Sequence, residues 1–81
     1  MKIRLLYFAV LRDITGKSEE VVELPDGTRA LEIWNRLRRA HNQLAGYEKP
    51  PMTAVNESYV PADQLLHDGD EVAFIPPVAG G

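Results

Sequence analysis

Residues 2–8 alternate as a half-buried strand does: Ile3, Leu5 and Tyr7 share one side, and Arg4, Leu6 and Phe8 share the other. The arginine marks the second side as the wetter one, so Leu6 and Phe8 are candidates for an exposed apolar patch. Residues 9–17 predict a connection containing a short helical turn over 10–13 and closed by Gly16. A second strand is expected over 20–24, antiparallel to the first, and Pro25-Asp26-Gly27 has turn chemistry. Thr28 suits the N-cap of a helix over 29–43. Ala30, Ile33, Trp34, Leu37, His41 and Leu44 follow the three-and-four spacing of one buried stripe, which makes Trp34 a core residue. Glu32, four residues before Arg36, predicts a modest stabilising pair.

Residues 45–52, with Gly46, Pro50 and Pro51, read as a crossing loop. A short strand over 53–55, a turn at Asn56-Glu57-Ser58 and a brief return strand at Tyr59-Val60 follow, ended by Pro61. One helical turn over 62–66 and a tight turn at His67-Asp68-Gly69-Asp70 lead into a last strand over 71–75. There Val72 and Phe74 alternate inward, while Ala73 and Ile75 alternate outward. The order is strand, strand, helix, strand, short strand, strand, and the two most apolar strands are the first and the last. Placed side by side at the sheet centre, they predict an α+β fold of the β-grasp (ubiquitin-like) type, a mixed sheet packed on one long helix. A ferredoxin-like arrangement would need a second long helix, which residues 45–70 do not supply. The expected organisation is one β-grasp domain over residues 1–75 and an extended C-terminal tail over 76–81.

That tail is the strongest chemical signal. Pro76 cannot donate to a ladder, so pairing should end there, and Pro76-Pro77 favours an extended polyproline geometry. Extended, residues 76–81 would reach roughly 20 Å. Gly80 and Gly81 have no side chains and would pass through a channel too narrow for other residues. The reactive group such a tail delivers is the α-carboxylate of Gly81.

Composition narrows the alternatives. The chain has 81 residues and a net charge of −3, a balance that argues against nucleic acid as the main partner. No apolar run approaches the ~20 residues that span a bilayer, and the first residues read as a strand rather than a signal peptide. Cysteine is absent, which removes disulfides, thiolate metal sites and a cysteine nucleophile, and fits a cytoplasmic protein. His67 with Asp68, Asp70 and Glu71 matches no zinc or calcium spacing and reads as a solvated turn, so no metal site is expected. Neither a GxGxxG motif nor a P-loop is present, and Ser58 lacks a nucleophile-elbow context. Arg29, Arg36, Arg38 and Arg39 load the polar side of the helix, as a solvated face or a surface for an acidic partner.

The run Asp68-Gly69-Asp70-Glu71-Val72-Ala73-Phe74-Ile75-Pro76-Pro77-Val78-Ala79-Gly80-Gly81 resembles the small subunits of molybdopterin synthase, the MoaD-type sulfur carriers. Leu5-Leu6-Tyr7-Phe8-Ala9 and Ala54-Val55-Asn56 are similar to that family's first strand and middle turn. The resemblance implies that a ubiquitin-activating-type adenylating enzyme uses ATP to convert the Gly81 carboxylate to an acyl adenylate. A sulfur donor then yields a C-terminal thiocarboxylate. It further implies that Pro77, Val78, Ala79 and Gly80 enter the large subunit of molybdopterin synthase, where sulfur passes to cyclic pyranopterin monophosphate and builds the molybdopterin dithiolene. Active-site side chains would then lie on that partner, with no cofactor bound by this chain. The family's docking surface carries over to Phe8, Tyr59 and Ile75, and its assembly is a heterotetramer. Tyr59 and Ile75 replace the more usual leucine and phenylalanine, and Ala79 stands where serine or threonine is common. The rival readings are the sulfur carrier of thiamine thiazole synthesis, a ubiquitin-like protein modifier, and a β-grasp adaptor with an inert tail.

Overall fold

The computed structural model describes residues 1–47 and 51–75. Strand β1 (Lys2–Leu6) is followed by helix α1 (Ala9–Thr15), strand β2 (Glu19–Glu23), helix α2 (Ala30–Ala40), a 3₁₀ turn (Asn42–Leu44), and strands β3 (Met52–Val55), β4 (Ser58–Val60) and β5 (Glu71–Ile75). The strands form one five-stranded sheet in the order β2-β1-β5-β3-β4. β1 runs parallel to β5 at the centre, and every other pairing is antiparallel. This is the mixed sheet of the β-grasp fold, with the first and last strands adjacent as their apolar character requires.

Alternation along the strands divides the sheet into two faces. Ile3, Leu5 and Tyr7 from β1 and its extension, with Val72 and Phe74 from β5, are buried against α2 through Ile33, Trp34 and Leu37. The Trp34 and Phe74 rings lie 5.5 Å apart at a tilted angle, within the range of favourable aromatic pairs. Leu11 of α1 plugs one end of this core, and Leu24, Leu44 and Leu66 complete it from the connections.

Several local expectations are corrected. The first connection carries a full α1 rather than a single turn, and Gly16 closes it in the left-handed region at φ 76°. Thr28 does not cap α2: its hydroxyl donates to the Pro25 carbonyl at 2.7 Å, so it is spent on the preceding turn. Arg29 occupies the N-cap position without a side-chain bond, and the Ala30 N–H instead donates to the Gln64 carbonyl at 2.9 Å. Residues 61–64 form a single hydrogen-bonded turn, the Gln64 N–H donating to the Pro61 carbonyl at 3.0 Å, and the bridge from Leu65 to Arg29 ends it before Leu66. Helix α2 stops at Ala40, three residues earlier than its stripe suggested, since His41 turns to an extended backbone. The 3₁₀ turn that follows still buries Leu44, so the apolar spacing reads the same for either conformation. Glu32 and Arg36 form no ion pair among the described residues. Arg38, on the basic side of the helix, donates to the Ala45 carbonyl at 3.3 Å.

Among the described residues no helix is long and apolar enough to cross a membrane. The 67–70 turn spends its carboxylates on structure. Asp68 accepts the Lys2 N–H at 2.7 Å, while Asp70 accepts the His67 N–H at 2.8 Å and the Asn56 amide at 2.9 Å.

Candidate docking face

The face of the sheet turned away from α2 carries a connected apolar surface. Strand register builds it in rows. Leu6 pairs with Ala73, Ala73 with Ala54, and Ala54 with Tyr59, which aligns four strands in one row. The two alanines at its centre leave a shallow trough between the bulkier Leu6 and Tyr59. A second row lies two residues further along β5, where alternation returns each side chain to the same face: Met52 pairs with Ile75, and Phe8 follows Leu6 on the β1 side. Phe8 is 52% exposed, Met52 56%, Tyr59 68% and Ile75 38%. Four large apolar side chains open to water on one face exceed what scattered surface hydrophobes require.

Local backbone features hold these residues in place. Phe8 keeps an extended backbone past the end of β1, and its carbonyl accepts the Leu11 N–H at 3.0 Å to start α1. Tyr59 is set by the turn between β3 and β4, where Asn56 and Glu57 both have positive φ, 51° and 68°. Two consecutive left-handed residues match the twist of the flanking strands, and asparagine tolerates that region well. The Asn56 side chain also locks this hairpin to β5. Its oxygen accepts the Glu71 N–H at 3.0 Å, and its nitrogen donates to Asp70 at 2.9 Å.

Charge varies along the face. At the end where β5 begins, Arg4 pairs with Glu19 at 2.8 Å and with Glu71 at 3.5 Å. The hydrogen bond to Glu19 and that residue's charge raise the Arg4 guanidinium above its ordinary pKa, with a smaller contribution from Glu71. At the opposite end, around Ile75, no charge among the described residues separates Phe8, Met52 and Ile75. The face is thus polar where β5 starts and apolar where the tail begins.

Of the site residues expected from sequence, Phe8, Tyr59 and Ile75 are therefore brought onto one surface. Pro77, Val78, Ala79, Gly80 and Gly81 lie outside the described residues, as does the expected extended form of the tail. Met52 was missed because the strand was expected to begin at Thr53. Its position two residues before Ala54 is the signal that would have found it.

The ThiS family profile matches residues 5–81 of the chain. A molybdopterin synthase sulfur carrier subunit from Chlamydomonas reinhardtii is 42% identical, with all of both chains covered. The human protein of the same description is 39% identical over 99% of this chain and 94% of its own. Among solved structures, a putative molybdopterin converting factor subunit 1 from Pyrococcus furiosus superposes with a TM-score of 0.80 at 32% identity, covering 96% of this chain and 99% of that one.

Proposed function

Because the chain belongs to the ThiS family, among the sulfur carrier subunits of molybdopterin synthase, we propose that it carries sulfur on its own C-terminus as a thiocarboxylate at Gly81. What supports this reading is a full-length likeness that includes the Gly-Gly end, joined to an exposed apolar face that leads into the tail at Ile75.

The chemistry follows from the terminal group. A free carboxylate is ionised near neutral pH, with a reference pKa of about 3.5, and as an anion it resists nucleophilic attack. In the proposed cycle an adenylating enzyme of the ubiquitin-activating type joins a Gly81 oxygen to the α-phosphorus of ATP and releases pyrophosphate. Sulfide-level sulfur (HS⁻) released by a donor attacks the carbonyl carbon of this mixed anhydride and gives up its proton. The carbon–oxygen bond to phosphate breaks, AMP leaves, and a thiocarboxylate remains. The large subunit then receives Phe8, Tyr59 and Ile75 on its surface and residues 77–80 in a channel, so that the sulfur reaches cyclic pyranopterin monophosphate. Two such deliveries complete a dithiolene.

In this scheme the chain supplies the sulfur while the large subunit supplies the catalytic side chains, so the chain needs no metal or cofactor of its own. Two carriers flanking a dimer of large subunits give the heterotetramer, and the cytoplasm is the proposed site of action.

The test is the intact mass of the protein after incubation with the adenylating enzyme, ATP and sulfur donor of its own cell. One oxygen exchanged for sulfur, mapped to Gly81 and absent when Gly81 is deleted, is the expected result. An unchanged mass beside an adenylating enzyme that loads its other carriers refutes the proposal.

A further inference from the structure

A second surface lies along the β2 edge of the sheet, with its groove on the helix side, and is independent of the sulfur-carrier reading. Strand β2 is the last strand of the sheet on its side, and among the described residues nothing pairs with its outer edge. The ladder to β1 identifies which backbone groups are free. Leu24 and Met1 exchange N–H···O bonds at 2.9 and 2.7 Å, and the Tyr7 N–H donates to the Ser18 carbonyl at 2.8 Å. In an antiparallel ladder such residues alternate, so the even-numbered positions of β2 turn their backbone groups toward β1. Glu19, Val21 and Glu23 turn theirs away, into solvent.

Beside this edge, between β2 and α2, runs a groove of about 270 Å³ whose apolar lining includes Val22, Leu24, Ile33 and Leu37, with Lys17, Glu20 and Arg36 also facing it. A free edge with an adjoining apolar groove is the arrangement by which an extended peptide adds a strand. Main-chain bonds form along the edge, and alternate side chains fill the groove.

Charge selects the occupant. The edge positions carry Glu19 and Glu23, both exposed, on either side of Val21, which is 65% exposed. A second copy pairing antiparallel about Val21 would place Glu19 opposite the other copy's Glu23, and facing like charges are destabilising. Charged edges ordinarily prevent this self-association. The same two carboxylates, Glu19 also holding Arg4 at 2.8 Å and Glu23 without an ion pair among the described residues, favour a strand with cations at matching positions. We propose that the β2 edge and its groove bind an extended segment of another protein in which aliphatic residues alternate with polar ones. Its lysine or arginine side chains lie opposite Glu19 and Glu23. The groove is on the helix side of the sheet and the Phe8–Tyr59–Ile75 surface is on the other, so both can be occupied at once.

The probe is the capped heptapeptide Val-Lys-Val-Thr-Val-Lys-Val, which presents its two lysines at the spacing of Glu19 and Glu23 in either strand direction. With isotope-labelled full-length protein, amide shifts are expected at residues 19, 21 and 23, with methyl shifts at Ile33 and Leu37. The amide of Val21 should also exchange more slowly with solvent. Replacing both lysines of the peptide by glutamate, or making Glu23→Lys in the protein, should weaken binding about tenfold. Val21→Pro removes a donor that faces away from β1 and should abolish binding while leaving the fold intact. If Val21→Pro does not fold, the Glu23→Lys result decides alone. Absence of shifts at about 1 mM peptide, shifts confined to Phe8, Tyr59 and Ile75, or equal binding of the glutamate peptide would each overturn the proposal.

Discussion

Replacing Phe8 by alanine separates the outer face's role in docking from its role in folding. A fully buried aromatic side chain removes roughly 200 Å² from water. With Phe8 52% exposed, about 100 Å² remains for a partner to cover, worth about 2.5 kcal/mol at about 25 cal/mol per Å². Alanine retains a little of that area and a partner covers it incompletely, so the expected loss is about 2 kcal/mol, or about 30-fold in Kd. The half of the ring already buried bears on folding instead. Its removal should lower Tm by several degrees, which a domain with a stability of about 5 kcal/mol or more tolerates at 25 °C. Titration calorimetry against the large subunit of molybdopterin synthase measures the first effect, and circular dichroism measures the second. Val21→Ala is the control: Val21 is at least as exposed and shares the outer face through its pairing with Arg4, but it sits on the edge strand β2 at the polar end, away from Phe8, Tyr59 and Ile75, and should leave Kd unchanged. Binding of the Phe8→Ala protein within twofold of the parent, with the fold intact, would refute the docking assignment.

Two further substitutions test the scaffold. The Tyr7 hydroxyl donates to Glu20 at 2.7 Å, and this bond, ahead of the one from Lys17, lowers the Glu20 pKa below its ordinary 4.5. A lowered carboxyl pKa stabilises the fold above the ordinary value and is lost as pH falls through the lowered one. Tyr7→Phe should therefore cost about 1.5 kcal/mol at neutral pH and flatten the fall of Tm below pH 4.5; an acid limb as steep as the parent's would count against it. Burial, then Glu20, raises the Tyr7 pKa above its ordinary 10.0, so the parent should also lose stability as pH rises beyond 10.0, a limb absent from the variant. Glu57 sits at φ 68° in a turn position that prefers glycine. Glu57→Gly should stabilise by up to about 1 kcal/mol and raise Tm by about 4–8 °C; a lower Tm would show that the side chain's contacts outweigh the strain.

The legible part of this fold is what burial alone determines. Ile3, Leu5 and Tyr7, the stripe through Ile33, Trp34 and Leu37, and the pair Val72 and Phe74 each sit where periodicity placed them. The errors fall where hydrogen bonding between distant segments decides. Thr28 has the chemistry of a cap, but Pro25 takes its hydroxyl, and the first N–H of α2 finds Gln64, a partner no local pattern reveals. The end of α2 was unreadable because Leu44 is buried whether the chain continues as α-helix or tightens to a 3₁₀ turn. The site divides in the same way. Alternation exposed Phe8 and Ile75, whereas Tyr59 came from family resemblance. The row that unites them depends on the register of β3 against β5, which pattern along one strand does not encode.

The two-faced sheet also explains how one small domain can present so much apolar surface and remain folded. Its core needs only one face, because α2 covers Ile3, Leu5, Val72 and Phe74 without help from the other side. Residues on the outer face are then free to suit a partner, and in the proposed docking role their identities would follow that use. Ala73 and Ala54 keep the centre low, and larger residues there would fill the trough that Leu6 and Tyr59 wall. The strand that leads into residues 76–81 is β5, which is bonded on both sides, to β1 and to β3. A tail drawn into a partner therefore pulls first on the β3 ladder, which runs to Ile75, and behind it on the β1 ladder, which runs to Ala73. The exposed row formed by Phe8, Ile75 and Met52 lies at the same end of the sheet, so one docking event would bury the apolar surface and align the segment that follows Ile75.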